Sequence, residues 1–135
     1  MWRMLQSSGL MAFVGVSDLV RAQQFYGDTL GLRLRDESPF ALVADLHRGT
    51  LRITAVGELL VAAPYTVLGW QVADIASSIE ELTARGVRFT RYPEVAQDER
   101  GVWTAPGGAK VAWFLDPDGN TLSLTEFAEP EGEVP

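Results

Sequence analysis

The sequence predicts an α+β fold made of two tandem β-α-β-β-β modules, and three observations support this prediction. The segment Val16–Leu19 (VSDL) returns as Val72–Ile75 (VADI) after 56 positions (72 − 16 = 56). The segment Thr50–Thr54 (TLRIT) returns as Thr121–Thr125 (TLSLT) after 71 positions (121 − 50 = 71). Each copy also combines short apolar runs with one helical pattern. Repetition of this kind indicates a duplicated structural unit, and the unequal offsets predict an insertion at about 92–108.

The first module opens on a strand and a capped helix. Leu10–Val16 is an apolar run that predicts a buried strand. Ser17 or Asp18 can cap the next helix, because a short side-chain oxygen accepts a free N–H of the first turn. Apolar residues at three- to four-residue spacing predict a helix that extends to Leu30 and ends at Gly31. The remaining strands are predicted at Leu32–Arg35, Phe40–Asp45 and Thr50–Val56.

The second module repeats this order. Val67–Val72 predicts the first strand, Asp74 the cap of the helix and Gly86 its end. Asp116–Asn120 (DPDGN) is a strong turn signal, since proline presets φ and glycine accepts a left-handed conformation. The other strands are predicted at Val87–Arg91, Lys110–Leu115 and Thr121–Glu126.

Length and composition favour one compact domain. The chain has 135 residues, of which 47% are hydrophobic, enough for one substantial core. We expect this domain over residues 10–127, with modules at about 10–62 and 65–127. An N-terminal extension over 1–9 and an acidic, flexible tail over 128–135 complete the expected organisation. The sequence has no cysteine, which excludes disulfides, thiolate metal sites and cysteine nucleophiles.

Charge and hydropathy limit the expected partners. A net charge of −7 argues against nucleic acid, whose phosphates would be repelled. No apolar run approaches the roughly 18 residues that span a bilayer, so no membrane partner is expected. The N-terminal residues show no signal-peptide pattern, and the cytoplasm is therefore the expected location. A small organic molecule is the remaining partner class.

Three segments together resemble a known family. They are Val14–Leu19 (VGVSDL), Phe25–Leu32 (FYGDTLGL) and Phe114–Asn120 (FLDPDGN). In this order and spacing the chain resembles the vicinal oxygen chelate superfamily, which includes glyoxalases, bleomycin-resistance proteins and extradiol dioxygenases. The resemblance covers about Leu10–Phe127. It implies two modules whose sheets curl into an open cup, and it implies a homodimer.

The resemblance also implies where a metal would bind. Enzymes of the superfamily hold one divalent metal with His, Glu or Gln from the first and last strands of each module. The corresponding positions here are Met11, Arg52, Val67 and Ser123. Divalent cations of this kind prefer carboxylate, imidazole or carbonyl donors, and an arginine would repel them. We therefore expect no metal and no other cofactor.

The candidate ligand-binding residues are aromatic or polar. Phe13, Trp103 and Trp113 form either an aromatic wall for a flat ligand or ordinary core contacts. Gln71 and Ser123 are the expected hydrogen-bonding groups.

Arg52 alternates with two apolar neighbours, so its side chain is expected to point into the cup. A buried arginine needs a partner. It either pairs with Asp45 or Glu58, or it binds an acidic or carbonyl group of a ligand. His47, the only histidine, lies in a predicted turn, where a surface residue is expected rather than a general base. Asp98–Gly101, in the insertion, is either a solvated loop or a mobile flap.

These residues predict reversible binding and sequestration of a small organic molecule. The alternative is a metal-dependent lyase or dioxygenase of the same superfamily with non-standard ligands, or a metal-free isomerase or lyase. A third possibility is an interaction protein whose cup is filled by its own side chains. The sequence leaves open whether the protein is an enzyme.

Overall fold

The computed structural model describes residues 4–128. The first three residues of the expected N-terminal extension, and residues 129–135 of the expected tail, lie outside the described residues. The chain divides into two compact units: unit one ends at Val61 and unit two begins at Ala62. Each unit contains a four-stranded mixed sheet and few helices, which confirms the predicted α+β class with tandem modules.

Unit one contains a sheet with the strand order β1-β4-β3-β2. β1 and β4 are parallel, and the other neighbours are antiparallel. Its elements are β1 (Leu10–Val16), α1 (Leu19–Ala22), a π-helical segment (Gln23–Thr29), β2 (Arg35–Glu37), β3 (Ala41–Leu46), β4 (Gly49–Ala55) and a 3-10 turn (Gly57–Leu59).

The helix of unit one begins as predicted but changes its pitch. Asp18 caps it, since its Oδ1 accepts the N–H groups of Val20 at 2.8 Å and Arg21 at 3.2 Å. Further along, Leu30 N donates to Phe25 O, five residues back, at 2.8 Å, the spacing of a π-helix. The chain therefore contains an α-helical turn followed by a π-helical segment, where the sequence predicted one regular helix.

The predicted strand Leu32–Arg35 is wrong in its position, because β2 begins only at Arg35. Leu32 N donates to Tyr26 O at 3.0 Å, so this part of the chain still closes the helix end. Gly31 has a φ of 81°, which a side chain would resist, and it ends the helix as predicted.

Unit two contains a sheet with the order β5-β8-β7-β6. Glu126 Oε1 accepts the N–H of Ile75 at 2.9 Å, and Asp74 Oδ1 accepts that of Ser77 at 3.2 Å. The helix α2 therefore lies on the face of the sheet that carries Glu126, together with the buried Leu122. The elements are β5 (Thr66–Gln71), α2 (Ile75–Ala84), β6 (Trp103–Thr104), β7 (Lys110–Leu115) and β8 (Thr121–Glu126).

The predicted strand Val87–Arg91 is wrong. Only one isolated bridge forms there, between Phe89 and Phe114. The Gln97 side chain explains the difference, because its Nε2 donates to Thr90 O at 3.0 Å and its Oε1 accepts Tyr92 N–H at 2.8 Å. Pairing with β7 reaches as far as Thr90, whose N–H donates to Trp113 O at 2.8 Å, and β6 pairs with the next part of this edge.

Strand register shows that the duplication extends to the pairing of individual residues. Phe13 pairs with Arg52 in unit one, and Gly69 pairs with Ser123 in unit two. Gly69 lies 56 residues after Phe13 and Ser123 lies 71 residues after Arg52, so the two pairs are related by the two offsets of the sequence repeat (69 − 13 = 56; 123 − 52 = 71). The second unit departs from the first by a bulge between Thr66 and Leu68, which puts Thr66 opposite Thr121.

Candidate functional site

The face of the unit-two sheet opposite α2 carries four of the six predicted ligand-binding residues. Ser123 pairs with Gly69 on one side and with Trp113 on the other, so these three lie in one row. We call this surface the Ser123 face. Its strand residues are Thr66, Gly69, Gln71, Trp103, Val111, Trp113, Leu115, Thr121, Ser123 and Thr125.

Three aromatic rings form a cluster on the Ser123 face. The rings of Trp103 and Trp113 are stacked, with centroids 6.2 Å apart and planes 30° apart. Tyr92 meets Trp113 edge-on at 5.4 Å and 86°. Trp113 Nε1 donates to Thr66 Oγ1 at 3.1 Å, which satisfies the indole donor and fixes the ring. All three rings remain partly exposed, so the cluster offers a rigid apolar surface.

The insertion that follows Phe89 holds this cluster in place. Besides its bonds to Thr90 and Tyr92, Gln97 Nε2 donates to Gly101 O at 2.8 Å. Asp98 Oδ1 accepts the N–H groups of Arg100 at 2.8 Å and Val102 at 2.9 Å. The segment is therefore a hydrogen-bonded loop. Its Arg100 also forms an ion pair with Glu80 of α2 at 3.0 Å, which raises the pKa of Arg100.

Sequence reasoning missed Tyr92 and Gln97. Tyr92 is the first residue of the predicted insertion, and no local pattern there indicates which way its side chain points. Gln97 lies in a polar segment (QDERG) typical of a solvated loop, and its role depends on three backbone groups brought together by folding.

The corresponding surface of unit one, the Arg52 face, carries the other two predicted residues. Phe13 and Arg52 are direct partners across β1 and β4. Arg52 Nη1 donates to Glu37 Oε1 at 2.9 Å, so its partner is Glu37; the expected pairing with Asp45 or Glu58 is wrong. Asp45 is bound instead by Arg35, whose Nε lies 3.2 Å from Asp45 Oδ2. Edge-strand residues of β2 therefore neutralise the charges of this face.

Two further polar residues, His47 and Asp36, lie outside the Ser123 face and the Arg52 face. His47 is exposed in the turn between β3 and β4, where the sequence predicted it. Asp36 accepts hydrogen bonds from the Ser38 hydroxyl and from Ser38 N–H, and these contacts lower the pKa of Asp36 below its usual value of 3.8. Asp36 pairs with the buried Leu42, which belongs to the opposite face of the sheet from Arg52.

A family model matches most of the chain. The Glyoxalase/Bleomycin resistance protein/Dioxygenase superfamily model matches residues 10–124. The chain belongs to this superfamily. The resemblance inferred from the three sequence segments is thereby confirmed. A search among curated proteins found no match.

Solved structures share the fold of this superfamily member. The antibiotic binding protein TnmS3 from Streptomyces sp. CB03234 matches with a TM-score of 0.68 and 23% identity, covering 90% of this chain and 97% of its own. A superfamily member from Sphaerobacter thermophilus DSM 20745 gives 0.65 and 26%, covering 89% and 97%. A glyoxalase/bleomycin resistance protein/dioxygenase from Alicyclobacillus acidocaldarius gives 0.67 and 17%, covering 91% and 93%.

The metal that the superfamily implies does not fit the residues of this member. In unit one the expected positions hold Met11, a soft thioether, and Arg52, a cation already paired with Glu37. In unit two the bulge puts Thr66 at the strand position that the resemblance assigned to Val67. The other position holds Ser123, which offers only a neutral hydroxyl. Within residues 4–128, no group of three or more His, Asp or Glu side chains is arranged to hold a metal ion.

Among the described helices, none is long and apolar enough to cross a bilayer.

Proposed function

We propose that this superfamily member reversibly binds a small, flat organic molecule on the Ser123 face of unit two. The observation that carries the proposal is a rigid aromatic cluster on a surface whose ten strand residues include no ionisable side chain. Trp103 and Trp113 supply stacking area, and Gln71 and Ser123 orient the ligand through hydrogen bonds. The ligand leaves unchanged, as sequestration requires.

Binding suits this surface better than acid–base chemistry. Reversible binding needs apolar contact area and a few oriented polar groups. A general acid or base must be a titratable group within hydrogen-bond reach of the reacting atom, and the strand residues of the Ser123 face include none. TnmS3 is an antibiotic binding protein with the same fold and 23% identity, so it is one example of small-molecule binding by this fold.

Phe13 and Arg52 are further proposed contacts, on unit one. Phe13 is 60% exposed and offers one aromatic surface. Arg52 would bind an acidic or carbonyl group only in competition with Glu37, because the two side chains are already 2.9 Å apart. We therefore assign the main binding energy to unit two.

Assembly and location remain predictions from the sequence. We propose a cytoplasmic homodimer that does not bind nucleic acid, the last point supported by the net charge of −7. Size-exclusion chromatography with light scattering measures the assembly state, and cell fractionation measures the location.

Isothermal titration calorimetry with neutral bicyclic aromatic molecules, 2-naphthol among them, tests the proposed function. Trp103→Leu should weaken binding about tenfold, since ring stacking contributes about 0.5–1.5 kcal/mol beyond area burial. Trp70→Phe is the matched control, because Trp70 pairs with Leu124 and therefore lies on the α2 face. Repetition after chelator treatment separates this binding from metal-dependent binding.

Two results would contradict the proposed function. The first is the absence of binding by every compound at millimolar concentration. The second is an equal affinity of the wild type and Trp103→Leu.

A further inference from the structure

Beside the aromatic cluster, Gly69 is exposed on the Ser123 face, next to the side chain of Ser123. These residues are direct partners across β5 and β8. A Cβ atom at Gly69 would lie 2.7 Å from Ser123 Oγ, so a side chain there would force the serine hydroxyl to move. The serine hydroxyl therefore holds its position beside residue 69 because that residue is a glycine. In unit one the equivalent position holds Phe13 (69 − 56 = 13).

The Ser123 hydroxyl beside Gly69 has no described hydrogen-bond partner and is not sealed from solvent. Ser123 is 7% exposed, and its Oγ makes no hydrogen bond to any of residues 4–128. Among the described residues Ser123 Oγ is not one of the fully buried polar atoms that lack a partner, so it keeps access to water and to a ligand. It can donate one hydrogen bond and accept others. A ligand group with either capacity would satisfy it.

Trp113 determines what kind of molecule can reach this hydroxyl. It is the partner of Ser123 on the other side, and directly opposed residues in a sheet have Cβ atoms about 5 Å apart. The indole N–H is already used by Thr66, so Trp113 offers its ring surface and no donor. A ring stacked on Trp113 therefore carries its short polar substituents close to Ser123.

We propose that Gly69 and Ser123 form a specificity notch for one hydroxyl or carbonyl group on a flat, uncharged ring that stacks on Trp113. This inference rests on the proposed function and specifies the ligand class of the same face. A carboxylate is disfavoured there, because no cation on the Ser123 face would compensate its desolvation.

The test compares 2-naphthol with naphthalene by titration calorimetry. In Ser123→Ala the ratio of 2-naphthol affinity to naphthalene affinity should fall about 3- to 10-fold, the value of one hydrogen bond. Gly69→Ala should lower the same ratio, since its methyl group would displace the Ser123 hydroxyl. Gly107→Ala is the matched control, because an added Cβ there meets no atom within 4 Å. This control should keep the wild-type ratio.

The outcomes separate the notch from the proposed function. An unchanged ratio in Ser123→Ala, with Trp103→Leu still weakening both probes, would overturn the notch and leave the proposed function standing. Failure of both probes to bind the wild type would overturn both. If Gly69→Ala does not fold, Ser123→Ala decides alone, because removal of an unpaired hydroxyl leaves every described hydrogen bond intact.

Discussion

At the centre of the unit-one sheet Phe13 pairs with Arg52, whereas the same pair in unit two is Gly69 and Ser123. The backbone register is the same at this pair, but the two surfaces differ in chemistry. Unit one presents ion pairs among arginine and carboxylate side chains. Unit two presents aromatic rings and neutral polar groups. At this pair the strand pairing is thus the same in both copies while the surface chemistry differs, and the proposed activity belongs to the surface of one copy.

The cores of the two units differ in a complementary way. Tyr26, on the helical segment of unit one, is fully buried, and its repeat mate in unit two is the smaller Leu82 (82 − 26 = 56). On the third strand the order reverses. Phe114 of unit two is fully buried, and its counterpart by register is Ala44 (114 − 44 = 70). Each core thus contains one large aromatic side chain, from the helix in one unit and from the sheet in the other.

The largest expected effect comes from removal of the strand-derived aromatic group. Phe114→Ala should lower the free energy of unfolding by about 3–5 kcal/mol, the usual cost of a buried phenylalanine cavity. Urea denaturation measures it. Phe127→Ala is the control, since Phe127 is 53% exposed. If both variants lost the same small free energy of unfolding, Phe114 would not be the large aromatic side chain that fills the core of unit two.

A smaller effect is expected in the insertion, which has no counterpart in unit one. Gln97→Leu removes three hydrogen bonds to backbone groups and should lower the free energy of unfolding by about 2 kcal/mol. It should also weaken binding of 2-naphthol, because Tyr92 and Trp103 lose their support. Gln24→Leu, at an exposed position of unit one, is the control. Unchanged affinity in a destabilised Gln97→Leu protein would show that the insertion does not shape the binding surface.

The smallest expected effect concerns the acid response of the unit-one sheet edge. The lowered pKa of Asp36 means that its ionised form is favoured in the folded state, so its contribution is present above about pH 4. That contribution is lost as the pH falls through the folded-state pKa. Melting temperatures of the wild type and Asp36→Asn should therefore converge as the pH is lowered. Ser38→Ala should show the same convergence, and a constant difference at every pH would contradict this account.

The parts of the fold that local patterns determine were predictable. β7 and β8 have the predicted bounds, Lys110–Leu115 and Thr121–Glu126. Alternating apolar residues on both sides of a strong turn leave one register, since a one-residue slip would expose every core side chain. The caps at Asp18 and Asp74 are confirmed for a similar reason, because capping depends on residues within one helical turn.

The features that sequence reasoning missed depend on distant contacts. The predicted strand Val87–Arg91 has β-forming residues, but it pairs with β7 only at Phe89 and Thr90, and the Gln97 side chain binds Thr90 O and Tyr92 N–H just beyond. The bulge beside Val67 also has no local signal, and it displaced the expected first-strand position by one residue. The partner of Arg52 depends on the position of β2, which brings Glu37 to the edge of the sheet.

The stacked tryptophans also have an optical consequence. Two indole rings with centroids 6.2 Å apart couple their ultraviolet transitions, and this coupling gives a paired positive and negative band in circular dichroism. Because Trp103 comes from the insertion and Trp113 from β7, the paired band exists only while the insertion is docked. The protein thus carries its own spectroscopic label for the order of this loop, readable without any ligand or dye.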